Sequence, residues 1–161
     1  MKKTILVLAL LVSTLSINAQ EFNLGLSGAL PVGDAGDFTT FGVNLDLNYL
    51  TEISEQFDLG VATGYQYYFG EEISGFELDD ISFLPIAAAA RFNATESLTL
   101  GADIGYAIGI SPDGNDGGFY YAPKLQYGVT ETLDLVLAYK AISLDDNFSF
   151  GALTLGVEFG L

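Results

Sequence analysis

Histidine and cysteine, the residues most often asked to do acid-base, nucleophilic or metal chemistry, are both absent from this chain of 161 residues. Hydrolysis with histidine as general base is therefore unavailable, and the spacing of the serines and aspartates suggests no substitute dyad. The reading is non-enzymatic. Without thiols there is also no disulfide framework and no zinc-type site. The best metal candidate is Asp113-Gly114-Asn115-Asp116-Gly117, because closely spaced oxygen ligands suit a hard cation. Its third ligand falls one residue early for a calcium loop, and Lys124 stands where a bidentate glutamate is needed. It reads as a polar, glycine-rich surface loop, with no metal and no cofactor expected. Glu71, Glu72, Glu77, Asp79 and Asp80 form the densest acidic loop, which reads as solvated charge.

Eight charges stand apart from those loops: Asp46, Asp58, Arg91, Asp103, Lys124, Asp134, Lys140 and Glu158. Each sits in a segment where every second residue is large and apolar, and each falls on the opposite parity, among Gly, Ala, Ser and Asn. In the last segment Leu153, Leu155, Val157, Phe159 and Leu161 oppose Ala152, Thr154, Gly156, Glu158 and Gly160. Such alternation belongs to strands. A sheet with one wet face would place long polar groups opposite its apolar side. A second face of small residues instead suits the inside of a narrow barrel, with the greasy face toward lipid. The facing follows from energy, because a lysine or arginine at mid-bilayer costs about 2–4 kcal/mol and the reverse register would incur several such terms. Folding the strands about their loops sets Asp58 opposite Arg91, Asp103 near Lys124, and Asp134 opposite Glu158. The first two are expected to form ion pairs that plug the lumen, whereas Asp134 and Glu158 are expected to face each other as like charges.

Eight such segments are expected, at about 21–31, 40–50, 57–69, 81–92, 97–110, 118–129, 133–143 and 148–161. All reach the roughly 9–11 residues that a tilted strand needs to cross a bilayer. The links after the even strands are tight and share a Thr-Glu pair (Thr51-Glu52, Thr95-Glu96, Thr130-Glu131), whereas those after the odd strands are mostly longer and acidic. Strand four is irregular: Ile81 and Phe83 share the parity of Arg91, so a bulge or bend is expected at Pro85. Aromatics gather at strand ends, with Phe22, Tyr49, Phe57, Phe92, Tyr127 and Phe159 toward the tight turns. Tyr65, Tyr67, Phe69, Tyr106, Phe119, Tyr121 and Tyr139 lie toward the long loops, as interfacial girdles require. Gly101, Gly105 and Gly109 fall on the lumen side.

Met1–Ala19 reads as a secretory signal with basic Lys2 and Lys3, a short apolar stretch, and cleavage near Ala19/Gln20; residues 20–161 form one barrel domain. Past that signal, Arg91, Lys124 and Lys140 are the only cations in a chain with 21 acids. Such a surface repels nucleic acid, whose binding depends on neutralising phosphates. Charged residues make up only 16% of the chain, below the roughly 25% of soluble domains. No apolar run after the signal approaches the roughly 20 residues of a transmembrane helix, so any membrane crossing is by strands.

The ending Thr154-Leu155-Gly156-Val157-Glu158-Phe159-Gly160-Leu161 resembles the C-terminal assembly signal of outer-membrane barrels, with Thr154, Gly156, Phe159 and Leu161 at its marked positions. Together with the signal and the alternation, it makes the chain resemble small eight-stranded outer-membrane proteins of the OmpA-transmembrane or OmpX-like type. The resemblance implies an all-β, antiparallel, up-and-down transmembrane barrel in the bacterial outer membrane, with both termini periplasmic. It implies outer-membrane lipid and the barrel-assembly machinery as partners, and names no surface ligand. The expected role is structural or surface-exposed, with acidic external loops. One alternative is a narrow porin-like passive channel preferring small cations. A second is a soluble lipocalin-like ligand-binding barrel, which would reverse the facing and leave too few charges for a wet exterior.

Overall fold

The computed structural model describes residues 22–73, 76–144 and 148–161; the secretory signal expected over residues 1–19 lies outside the described residues. Eight strands carry the chain: β1 (Phe22–Val32), β2 (Thr39–Ser54), β3 (Phe57–Gly70), β4 (Ile81–Asn93), β5 (Leu98–Ser111), β6 (Gly118–Gly128), β7 (Leu133–Ser143) and β8 (Ser149–Gly160). Each pairs antiparallel with its sequence neighbours, and β1 pairs with β8 to close an up-and-down barrel. Closure leaves no unpaired edge, which a bilayer requires of any sheet.

Alternation sets the facing throughout. Leu24, Leu26, Leu45, Leu59, Val61, Ile104, Leu125, Leu137 and Leu155 are exposed on the outer wall, whereas Asn44, Asn48, Gln66, Arg91, Asp103 and Glu158 are buried inside. This overturns the soluble lipocalin-like alternative, since large apolar side chains cover the exterior rather than fill the interior. Aromatic pairs mark the two rims of that exterior. Phe22 stacks on Tyr49 and Phe57 on Phe92 near the tight turns, with ring centroids 4.9 and 5.0 Å apart. Tyr67 meets Phe69 at 5.2 Å, and Tyr121 meets Tyr139 at 6.4 Å, near the long loops.

The tight turns have a chemical origin. Thr95 Oγ1 accepts hydrogen bonds from the backbone N–H groups of Ser97 and Leu98, and Thr130 Oγ1 accepts one from Thr132. A hydroxyl that substitutes for a missing ladder partner explains two of the three Thr-Glu pairs. The third is different: Thr51 and Glu52 continue β2, and the reversal comes at residues 55–56 behind a register shift between Glu52 and Ser54. On the opposite rim a 3₁₀ turn (Gly33–Asp37) and a two-by-two-residue hairpin (Glu72–Ile73 with Phe76–Glu77) occupy the first two loops.

Strand β4 departs from expectation. The register with β5 slips between Ser82 and Phe83, not at Pro85, and no reversal of facing follows. Phe83 points inward with Arg91 and is fully buried. Parity there was correct, and Phe83 is an interior residue.

Candidate functional site

All eight singled-out charges lie on lumen-facing positions, held by seven different strands. Arg91 on β4 and Lys124 on β6 flank β5, so both reach Asp103 on that strand. Arg91 Nη1 lies 2.7 Å from Asp103 Oδ1, and Lys124 Nζ lies 2.6 Å from Asp103 Oδ2. Gly101, two residues before Asp103, makes room for this triad: a Cβ there would lie 2.8 Å from Arg91 Cδ and 2.7 Å from Lys124 Cγ. Across the lumen Lys140 Nζ donates to both oxygens of Asp46 at 2.7 Å. Glu158 accepts hydrogen bonds from Asn48 Nδ2 at 2.6 Å and Gln126 Nε2 at 2.9 Å. Three cations thus meet two carboxylates in this layer, and amide donors satisfy the third, as taking charge out of water demands.

Two of the eight stand below that layer. Asp58 and Arg91 are Cα partners in the β3–β4 ladder, yet they form no ion pair. Arg91 reaches inward to Asp103 and to the carbonyl of Ala90, while Asp58 accepts from Asn93 Nδ2 at 3.0 Å. The guanidinium is long enough to leave the wall, and the buried carboxylate on the next strand offers two oxygens shared with a second cation. Asp134 is the ladder partner of Glu158 and lines a cavity of about 430 Å³ at the tight-turn end, together with Glu52, Asp58, Asn93 and Thr99. Beside Lys124 and Lys140 the free space shrinks to about 10 Å³. That is no more than the roughly 10–15 Å³ needed for one water.

Above the ion pairs, toward the long loops, a second layer closes the lumen. Tyr68 and Phe150 meet edge to face at 4.6 Å, and Phe150 meets Phe83 at 5.4 Å. Tyr120 and Ile142 are buried inside at the same end. Sequence reasoning missed these residues as a group. The signal was present, because Tyr68, Phe83, Tyr120, Ile142 and Phe150 each share the parity of a lumen charge on their own strand. Their size alone argued for the outer face.

Closed eight-stranded geometry with this facing has solved counterparts. Ail of Yersinia pestis, in a phospholipid bilayer nanodisc, aligns with a TM-score of 0.62 at 19% identity over 87% of this chain and 98% of that one. The fold is that of the small outer-membrane β-barrels. Neisserial surface protein A aligns at a TM-score of 0.54, with 17% identity over 88% of this chain and 97% of that one. The outer membrane protein OprG of Pseudomonas aeruginosa gives 0.50, with 12% identity over 86% and 93%. No family model matches the sequence, and no curated protein matches it. What these identities share is architecture.

Within this small barrel the terminal residues have distinct surroundings. Thr154 is buried in the lumen and donates to the carbonyl of Ala138 at 3.2 Å, whereas Phe159 and Leu161 are exposed on the outer wall. Gly156 sits where a Cβ would lie 2.2 Å from the carbonyl oxygen of Leu26, so the β1–β8 seam admits only glycine there. Leu161 N–H donates to Phe22 C=O, which joins both ends of the described barrel at the tight-turn rim.

Proposed function

We propose that the chain is an integral protein of the bacterial outer membrane that conducts nothing, catalyses nothing, and holds a set of acidic loops at the cell surface on a rigid wall. The observation that carries this reading is the double closure of the lumen: charge-paired side chains at mid-height and packed aromatics above them. The outer belt of leucine, valine and isoleucine, with aromatics at both rims, supports lipid as its surroundings. On this reading both termini are periplasmic, since the tight turns occupy that side in outer-membrane barrels. The Thr154, Gly156, Phe159 and Leu161 ending engages the barrel-assembly machinery during biogenesis.

The competing reading is a narrow cation-preferring channel, favoured by the carboxylates around the 430 Å³ cavity at the tight-turn end. The lumen-side lining of that cavity includes Arg91, Gln126 and Glu158, members of the charge-paired layer. Conductance across planar bilayers separates the two. The purified barrel is expected to give no steady channels, and Arg91→Ala, which removes one side of the triad, is expected to stay closed at the aromatic layer. Reproducible cation-selective steps from the wild type would defeat the proposal.

A further inference from the structure

The loop end of the barrel holds a blind cavity of about 410 Å³. This falls within the 300–1,000 Å³ range of small-molecule sites. Its floor is Phe83 and Phe150, its walls include Ile81 and Phe148, and its rim carries Asp113 and Asp116. The rim segment is tied down. Asn115 Nδ2 donates to the carbonyls of Ser111 at 2.9 Å and Ser82 at 3.4 Å, and Asn115 Oδ1 accepts from Gly117 N–H at 3.2 Å. Tyr106 OH donates to the carbonyl of Asp116 at 3.0 Å. Gly117 has φ +77°, and a Cβ there would lie 1.9 Å from the carbonyl oxygen of Ala107, so the fold of this loop depends on glycine. Leu144 N–H donates to Phe148 C=O at 2.9 Å, fixing the facing wall.

Charge decides what fits. Arg91, Lys124 and Lys140 are all consumed inside the barrel, and no lysine or arginine occurs in any loop of the sequence. An anion entering the mouth therefore meets no protein cation and, among the described residues, faces the carboxylates of Asp113 and Asp116. A neutral apolar molecule gains the floor but nothing at the rim. We propose that this cavity binds a small organic monocation carrying one aromatic or branched alkyl group, with the apolar end on Phe83 and Phe150 and the ammonium between Asp113 and Asp116. Both ends then gain, one by leaving water and the other by Coulomb attraction. The aromatic floor blocks passage, so the site captures rather than transports.

Calorimetry on the barrel in nanodiscs, with protein-free discs as the partition control, tests this with three probes of similar shape: 2-phenylethylammonium, 2-phenylethanol and phenylacetate. The ammonium is expected to bind saturably, at least about fivefold tighter than the alcohol, and phenylacetate not at all. The double variant Asp113→Asn/Asp116→Asn keeps the backbone ties, and it should abolish the preference for ammonium over alcohol, as should high salt. Phe148→Ala should weaken both binding probes together. Partition alone, equal binding of ammonium and alcohol, preference for the carboxylate, or a double variant indistinguishable from wild type would each overturn the proposal. None of these outcomes bears on conductance, so the closed-barrel reading is tested separately.

Discussion

Replacing Asp103 with asparagine strikes the lumen at the point where two cations depend on one anion. Arg91 and Lys124 have side chains 1% and 4% exposed, and Asp103 itself is 3% exposed. Neither cation has solvent to fall back on, and Arg91 would keep only its bond to the Ala90 carbonyl. Stranding a buried charge costs about 3–5 kcal/mol. Asparagine keeps one acceptor oxygen, so it supplies a hydrogen bond but no countercharge, and the loss should fall within that range. This corresponds to an increase in the unfolded fraction of roughly two to three and a half decades. The assay is reversible urea unfolding in phospholipid or detergent, followed by heat-dependent gel mobility and circular dichroism. Asp58→Asn is the internal comparison. Asp58 is half-buried and contacts Asn93 rather than Arg91, so its loss should cost less than about 1 kcal/mol. If Asp58→Asn proves as damaging as Asp103→Asn, the guanidinium is held by its ladder partner and the triad described here is wrong.

Three other perturbations probe the wall, the aromatic layer and the loops. Leu155→Arg places a charge on the outer face of β8 at a position 57% exposed, and should cost about 2–4 kcal/mol in lipid; a neutral result in the same unfolding assay would refute the facing. Phe150→Ala removes the ring packed against both Tyr68 and Phe83, and should cost about 3–5 kcal/mol by leaving a cavity; bilayer recordings should still show no conductance, because the ion pairs beneath remain. The Tyr67 hydroxyl and the Gly70 N–H hold the Asp80 carboxyl below the usual aspartate value. Because the folded state favours the carboxylate, the stability it contributes is whole above the ordinary value of about 3.9 and is lost as pH falls through the lower folded value. Urea midpoints of wild type and Asp80→Asn should therefore converge at strongly acidic pH, and a gap that persists there would sink the assignment.

How much of this was legible from residues alone differs by level. Strand positions and facing were, because a period-two pattern of leucine against glycine, alanine and asparagine admits one register in a bilayer. Segments such as 57–69 and 133–143 match β3 and β7 closely. Ion-pair partners were only partly legible. Ladder geometry put Asp58 beside Arg91, but a long side chain in a lumen a few residues wide chooses among carboxylates on several strands by reach and burial. Sequence spacing encodes neither. The aromatic layer was hidden for a related reason: Phe and Tyr suit lipid interfaces, lumen plugs and strands in general, so residue type could not separate Phe83 from Phe41. Parity alone could, and at Phe83 it was overruled by the proline two residues on.

The same shortage of cations that closes the lumen shapes the surface above it. After the first three residues the chain has three basic side chains, and the barrel interior takes all of them, each against a carboxylate. An interior of this width must be filled by side chains, and filling it with charge requires local neutrality because the wall excludes counterions. Among the described residues the remaining acids form no salt bridge: Glu158 is held inside by Asn48 and Gln126, and the others lie toward the rims and loops, where water tolerates them. Loop acidity is therefore coupled to how the lumen is filled. Removing a lumen carboxylate and its lysine together, as in Asp46→Leu/Lys140→Leu, should leave the barrel closed and the loop field unchanged. Removing either alone strands its partner. If the double variant were as unstable as Asp46→Leu by itself, the pair would have a role beyond mutual neutralisation, and the coupling drawn here between plug and surface would fail.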